Sequence, residues 1–233
     1  MDQRTLAILE AESKEIIETD TPVSSGQIYR KRRFNVKRAT IRNELHALSE
    51  GAFLEQPHTS GGRIPTDKAY RFFVERIFED SGAMEEQAVH EISDMREALE
   101  SGAVRSFVTT VSDALNAVSV GYLRPGSVVK SGLDDLIDEL IEYRELSDIR
   151  EVAAIIHDIE MIDERMEDML NFVEGDRPQV FIGKSPITKS PHLSVIADRL
   201  EVQGKPFVLA AVGSKRMDYE NNIHFFIRLK NNI

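Results

Sequence analysis

The sequence has no cysteine among its 233 residues, which excludes disulfides and thiolate-held metals. It has no apolar run approaching the roughly 18–20 residues that span a bilayer. Its start, Met1-Asp2-Gln3-Arg4, lacks the charged-then-apolar pattern of a secretion signal. Internal repeats and low-complexity segments are missing as well. So are the Gly-x-x-x-x-Gly-Lys loop that cradles phosphates and the Gly-x-Ser-x-Gly turn that presents a nucleophilic serine. Gly183-Lys184-Ser185 stands without the loop that would give it meaning. The six histidines are scattered, and His157-Asp158 forms a lone metal-hydrolase-like pair with no second histidine cluster at ligand spacing. A solvated helix position is the simpler reading of that pair. No catalytic residue, metal site or cofactor is expected, and a cytoplasmic protein of one or two domains is the simplest class.

The chain does have enough apolar residues (41 %) for a sizeable core and a charged fraction of 30 %. The net charge of −11 argues against nucleic acid until its distribution is considered. Residues 1–80 hold 13 basic and 13 acidic side chains, so the excess of acid lies entirely beyond them. Within that neutral part, residues 30–42 carry Arg30, Lys31, Arg32, Arg33, Lys37, Arg38 and Arg42 and no acid. A local basic patch on an acidic chain is the electrostatic footprint of a nucleic-acid contact.

Hydrophobic spacing predicts the elements. A helix over 4–18 places Leu6, Leu9, Ile16 and Ile17 on one face, interrupted by Ser13. Ser24 or Ser25 caps a second helix through about Arg33. A third runs from Lys37 to Glu50 with Ile41, Leu45 and Leu48 inward, and Gly51 stops it. Phe53–Gln56 and Arg63–Pro65 flank a flexible tip, and Thr66 or Asp67 caps a fourth helix through Phe78. That helix is apolar on nearly all sides and reads as a connection between two bodies. Three helices and a β-hairpin are the order of a winged helix-turn-helix. Further on, Met84, Ala88, Ile92, Met95 and Leu99 mark one amphipathic helix, and Val104 to Val118 a second. A long helix is expected over 149–172. Strands are expected over Gln179–Ile182, Leu193–Val202 and Pro206–Val212, with a turn at Gln203-Gly204, then a last helix from Met217. The fold class is therefore α+β, with a DNA-binding domain over 1–80 and a second domain over 83–233.

On the third helix, successive residues are rotated by about 100°. With Ile41 on the core side, Ala39 and Asn43 fall opposite it, flanked by Thr40 and His46. Asn43 is then the candidate base reader, because a carboxamide pairs bidentately with adenine. Thr40 suits a thymine methyl or a phosphate, and Lys37, Arg38 and Arg42 suit phosphates. In the hairpin, His58, Thr59 and Ser60 beside two glycines permit close approach, and Arg63 stands at its base. The bland alternatives are a solvated amphipathic helix and a plain loop. The uninterrupted basic run favours DNA over both.

Thr19 to Phe78 resembles the heat-inducible transcription repressor HrcA family. The matching pieces are Pro22-Val23-Ser24-Ser25, Ala39-Thr40-Ile41-Arg42-Asn43-Glu44-Leu45, Gly51 to Leu54, and the long string from Glu55 to Val74. Val180 to Gly183, Leu193 to Ile196, Gly204 to Pro206 and Lys215 to Glu220 resemble the end of that family's GAF-like domain. The resemblance implies a dimeric bacterial, nucleoid-associated repressor of chaperonin and Hsp70 operons. It implies an inverted-repeat operator and a GroEL-type chaperonin as a further partner. The sequence departs from the family at Lys37-Arg38, where Ser-Pro is usual, and at Glu12-Ser13, where the family is apolar. The match also passes over about 122–131. That implies a short member with a reduced GAF-like domain, lacking early strands and the inserted dimerisation domain, and leaves the 84–118 hairpin as a substitute pairing surface or as core helices of one subunit. A ligand-sensing winged-helix regulator and an adaptor using the acidic residues 134–168 are the alternatives.

Overall fold

This computed structural model describes residues 2–19, 21–31, 34, 36–57, 62–80, 89–123, 126–142 and 149–233. The chain divides into Met1–Glu79 and Asp80–Ile233, and the two apolar clusters lie in different units.

In the first unit, α1 (Gln3–Thr19), α2 (Ser25–Lys31) and α3 (Arg38–Glu50) precede two short strands, β1 (Leu54–Glu55) and β2 (Ile64–Pro65), and then α4 (Asp67–Asp80). Each start and stop has a local cause. Ser24 caps α2 through a reciprocal box. The Gln27 N–H donates to Ser24 Oγ at 3.3 Å, and the Ser24 N–H donates to Gln27 Oε1 at 2.8 Å. At the end of α3 the Ala52 N–H donates to Ser49 O and the Phe53 N–H to Leu48 O, the paired bonds of a Schellman turn. The left-handed residue of that turn is Ala52 (φ 57°), not the expected Gly51 (φ −76°). The antiparallel pair Leu54↔Pro65 and Glu55↔Ile64 is extended by a bridge that the sequence did not suggest, Val23↔Arg63. Its two N–H···O bonds are both 2.9 Å. Gly62 makes this bridge possible, because a Cβ there would lie 2.2 Å from the Pro22 backbone.

The core of this unit gathers Ile8, Leu9, Ile16, Val23, Ile28, Ile41, Leu45, Leu48, Leu54 and Ala69, with Phe53, Phe72 and Phe73 against it. The expected stripe on α1 is corrected. Ile17 is 40 % exposed, whereas Ile8, Glu12, Ser13 and Glu15 are buried. Seven positions of α1 between Ile8 and Ile16 therefore face inward or nearly so, more than an apolar stripe of that helix supplies. Burial pushes the Glu12 carboxyl up to about 9 from its ordinary 4.5, against the opposing pull of the Arg63 charge.

The second unit begins with α5 (Val89–Glu100) and α6 (Val104–Leu115); Met84 and Ala88 lie outside the described residues. Then follow β3 (Val118–Leu123), β4 (Ser127–Ser131), α7 (Leu133–Glu142), α8 (Ile149–Glu160), α9 (Ile162–Met169), β5 (Gln179–Ile182), β6 (Leu193–Val202), β7 (Lys205–Ser214) and α10 (Tyr219–Asn232). The five strands form an antiparallel sheet in the order β4-β3-β7-β6-β5. One face carries Val118, Val120, Val195, Val208 and Val212 into a core with Leu136, Leu140, Ile155, Ile159, Ile162 and Met166 of α7 to α9. On the other face Phe107 of α6 meets Phe207 edge-on at 5.8 Å. Gly121 leaves room there, since a Cβ would lie 2.6 Å from Val108. Gln203 and Gly204, both left-handed, join β6 to β7 as a two-residue hairpin.

Four expectations are corrected in this unit. Val118 opens a strand rather than ending a helix, and the end of β3 and all of β4 lie in the stretch that the resemblance passed over. The single helix over 149–172 is two helices, broken at Met161. The hairpin of α5 and α6 is not a free pairing surface, because Ile92, Met95, Leu99, Phe107, Val108, Val111 and Leu115 are all buried within this one chain. Asp158 is not a solvated helix residue either. Its carboxylate accepts from the Arg165 guanidinium and from the Lys189 and Ser190 N–H groups at 2.6 and 3.0 Å, so it fixes the loop before β6 to α8. Among the described residues no His, Asp and Glu group is placed to hold a metal, and no helix is long and apolar enough to cross a membrane.

Two stability effects are expected. Ala52→Gly relieves a left-handed alanine in the Schellman turn and should stabilise the first unit by roughly 1 kcal/mol in urea unfolding. Folded Glu12 keeps a proton that the unfolded chain releases above its ordinary value. Stability should therefore fall as pH rises from about 4.5 towards 9. Glu12→Gln should flatten that fall and raise stability at pH 7, by an amount on the order of 1–3 kcal/mol. Unfolding midpoints that track pH equally in both proteins would contradict this.

Candidate nucleic-acid interface

The sorting of faces on α3 comes from its core contacts. Ile41 and Leu45 are fully buried and Leu48 is 2 % exposed, so the opposite side of the helix must face outward. Ala39, Arg42, Asn43 and His46 are exposed there, with Thr40 half-buried beside them. Lys37 holds the N-cap position in an extended conformation (ψ 151°) and makes no side-chain cap bond. Arg38 is exposed and folds towards α2, where a Cβ on Gly26 would lie 3.1 Å from its guanidinium. The His46 ring nitrogen Nε2 lies 3.8 Å from Glu50 Oε1, one turn on.

α3 is held from its inner side by polar ties as well as by the core. Glu44 accepts from Arg4 Nε at 3.1 Å and from Thr5 Oγ1 at 2.7 Å, which pins the start of α1 to the middle of α3. Ser49 Oγ donates to Leu45 O and accepts from Arg63 Nε, both at 3.0 Å. Lys68 donates to Gly51 O at 2.8 Å and sits 4.3 Å above the Phe53 ring, closing the end of the helix.

Of the ten residues singled out from the sequence, Lys37, Arg38, Thr40, Arg42, Asn43 and His46 lie along one helix. Arg63 is half-buried beside the end of α3, tied to Ser49 and to the Val23 backbone rather than standing free at the base of a loop. His58, Thr59 and Ser60 lie outside the described residues. Sequence reasoning missed Tyr29, which is 46 % exposed on α2. Of the basic run it named, Arg30 is exposed on α2, and Lys31 pairs with Glu15 at 2.5 Å. Glu12 and Glu15 had one visible signal, two acids on the side of α1 that also carries Ile8 and Ile16. The first unit thus offers an uncapped helix N-terminus, exposed cations and one carboxamide on a continuous outer surface, the chemistry that contacts phosphates and base edges.

A relative from Chloroflexus aurantiacus named heat-inducible transcription repressor HrcA is 51 % identical over 79 residues, 34 % of this chain and 21 % of that protein. A protein of the same name from Streptomyces albus G is 30 % identical over 170 residues, 72 % of this chain and 48 % of its own length. The chain thus spans from about a fifth to about half the length of these relatives. A solved structure described as a hypothetical protein superimposes with a TM-score of 0.75 at 17 % identity, over 99 % of this chain and 97 % of that one, and supports the fold alone. The profile described as the HrcA protein C-terminal domain matches residues 72–223, well over half of the chain, and the chain accordingly belongs to the HrcA family.

Proposed function

We propose that the chain is a sequence-specific DNA-binding transcriptional repressor of heat-shock genes. The observation that carries this reading is the outer face of α3, where Arg42, Asn43 and His46 are exposed directly behind the buried Ile41 and Leu45. In the proposal the first unit is a winged helix-turn-helix. α3 enters the major groove and the β1–β2 hairpin is the wing. The first turn of α3 receives a phosphate, because its N–H groups and positive dipole end lie beside Lys37 and Arg38. Two phosphate-seeking charges then do the work that a side-chain cap would otherwise do at that end. Asn43 reads a base, and Thr40 approaches a thymine methyl or a phosphate. The excess acid of the second unit keeps the rest of the chain away from the polyanion and leaves the head as the contact.

The second unit is proposed as the GAF-like regulatory and dimerisation domain. A homodimer on an inverted repeat follows from the reading, since a two-fold operator requires two heads related by two-fold symmetry. The chaperonin and Hsp70 operons as targets, and a GroEL-type chaperonin as a partner, rest on the family resemblance alone. The α5–α6 hairpin does not serve as the pairing surface in this proposal, because its apolar stripes are consumed by the unit's own core.

Footprinting on the promoters of the source genome should show a protected inverted repeat, and its absence at low salt would refute the reading. Asn43→Ala should relax specificity at one position per half-site, by about 1–3 kcal/mol of discrimination. Arg42→Ala should instead weaken binding uniformly across sequences and lower the log–log salt slope by about 0.9 per phosphate lost.

A further inference from the structure

The outer face of α2 carries groups that the reading above does not use. Ile28 is buried and fixes how this helix lies on the core. At about 100° per residue, Gly26 and Arg30 then fall opposite it, with Tyr29 at the shoulder. Tyr29 and Arg30 are exposed, and the Tyr29 hydroxyl has no partner among the described residues. Gly26 and Arg30 are four positions apart, so they are neighbours one turn from each other.

A second element reaches the same face. Arg38, at the start of α3, lays its guanidinium over Gly26. A Cβ on Gly26 would lie 3.1 Å from Arg38 Nη2, 3.3 Å from Cζ and 3.5 Å from Nε. The planar group therefore rests against α2 in a seat that a larger side chain would fill. Two arginines thus share one face of α2. Among the described residues no carboxylate pairs with either of them, whereas Arg4 is held by Glu44 and Lys31 by Glu15. Like charges brought together with no acid between them repel, and bound anions relieve that repulsion. The guanidinium fork matches phosphate oxygens, and a phenol adds a neutral donor. A backbone phosphate carries one negative charge, so two unpaired guanidiniums balance two of them.

We propose that α2 and the start of α3 form a clamp for two successive phosphates of one DNA strand. Arg38 holds the phosphate at the start of α3, Arg30 and the Tyr29 hydroxyl hold the next one, and Gly26 gives Arg38 its seat. The inference rests on the DNA reading above and adds to it a contact outside the reading helix. Such a contact fixes register on the duplex without reading sequence.

The test measures binding of the full-length protein to duplex DNA from the footprinted promoters as a function of salt. Arg30→Gln should lower the log–log salt slope by about 0.9. Tyr29→Phe should weaken binding several-fold and leave the slope unchanged, because the lost donor is neutral. Gly26→Glu places a carboxylate against Arg38 and one turn before Arg30, and should lower the slope by about 1.8. Gly26→Gln, of the same size without the charge, should retain more of the slope. Urea unfolding midpoints of these variants should not fall, since Tyr29 and Arg30 are exposed and glycine is a poor helix former. A wild-type slope in Arg30→Gln, or wild-type affinity in Tyr29→Phe, would overturn the proposal. Arg42→Ala separates the two readings. If it lowers the slope while the α2 variants bind as wild type, the clamp falls and the DNA reading stands. If the wild type itself protects no site, both fall.

Discussion

Everything proposed for the first unit depends on the burial of three side chains of α3. Ile41, Leu45 and Leu48 lie on one stripe of a 3.6-residue helix, and the small core under them leaves no other rotation for the helix. With that stripe inward, Asn43 and Arg42 cannot be anywhere but outside. The polar ties then fix what apolar packing leaves loose. Glu44 sets how α3 sits on α1, and Ser49 with Arg63 sets where the hairpin leaves it. Hydrophobic burial fixes the rotation of the helix, and hydrogen bonds with directional geometry fix its ends.

The head also shows where this chain departs from an economical design. A unit of this size has few residues to spare for its core, yet α1 turns Glu12, Ser13 and Glu15 inward. Ala52 holds a left-handed conformation that a glycine would adopt at less cost. Both features leave the head less stable than its topology permits. Low stability of the first unit is compatible with the repressor function proposed above, whereas the same features in the sheet of the second unit would weaken its whole core.

The second unit solves a different problem. An antiparallel sheet with both faces apolar must be covered on both, and α7 to α9 cover one face while α6 lies on the other. This explains why the amphipathic stripes of α5 and α6 are not available for pairing. It also explains the role of Asp158. Once α8 is laid on the sheet, the loop before β6 has backbone N–H groups to satisfy, and a buried carboxylate backed by Arg165 satisfies two of them.

Helices with a clear stripe were legible in the sequence, as were the strand Leu193–Val202, the Gln203-Gly204 turn and the outward placement of Asn43, because each follows from spacing within a few residues. The family resemblance was legible in the long string from Glu55 to Val74. β3 and β4 were not, since Val118 continues the apolar stripe of α6 and only the left-handed Asn116 (φ 47°) turns the chain into the sheet. The break at Met161 was hidden for the same reason, the apolar spacing running through it. The Val23↔Arg63 bridge joins residues forty positions apart, and no local pattern reports such a contact. Local periodicity determined which face of each helix is apolar. Tertiary structure alone decided which polar groups share the interior, because that depends on which distant elements close over them.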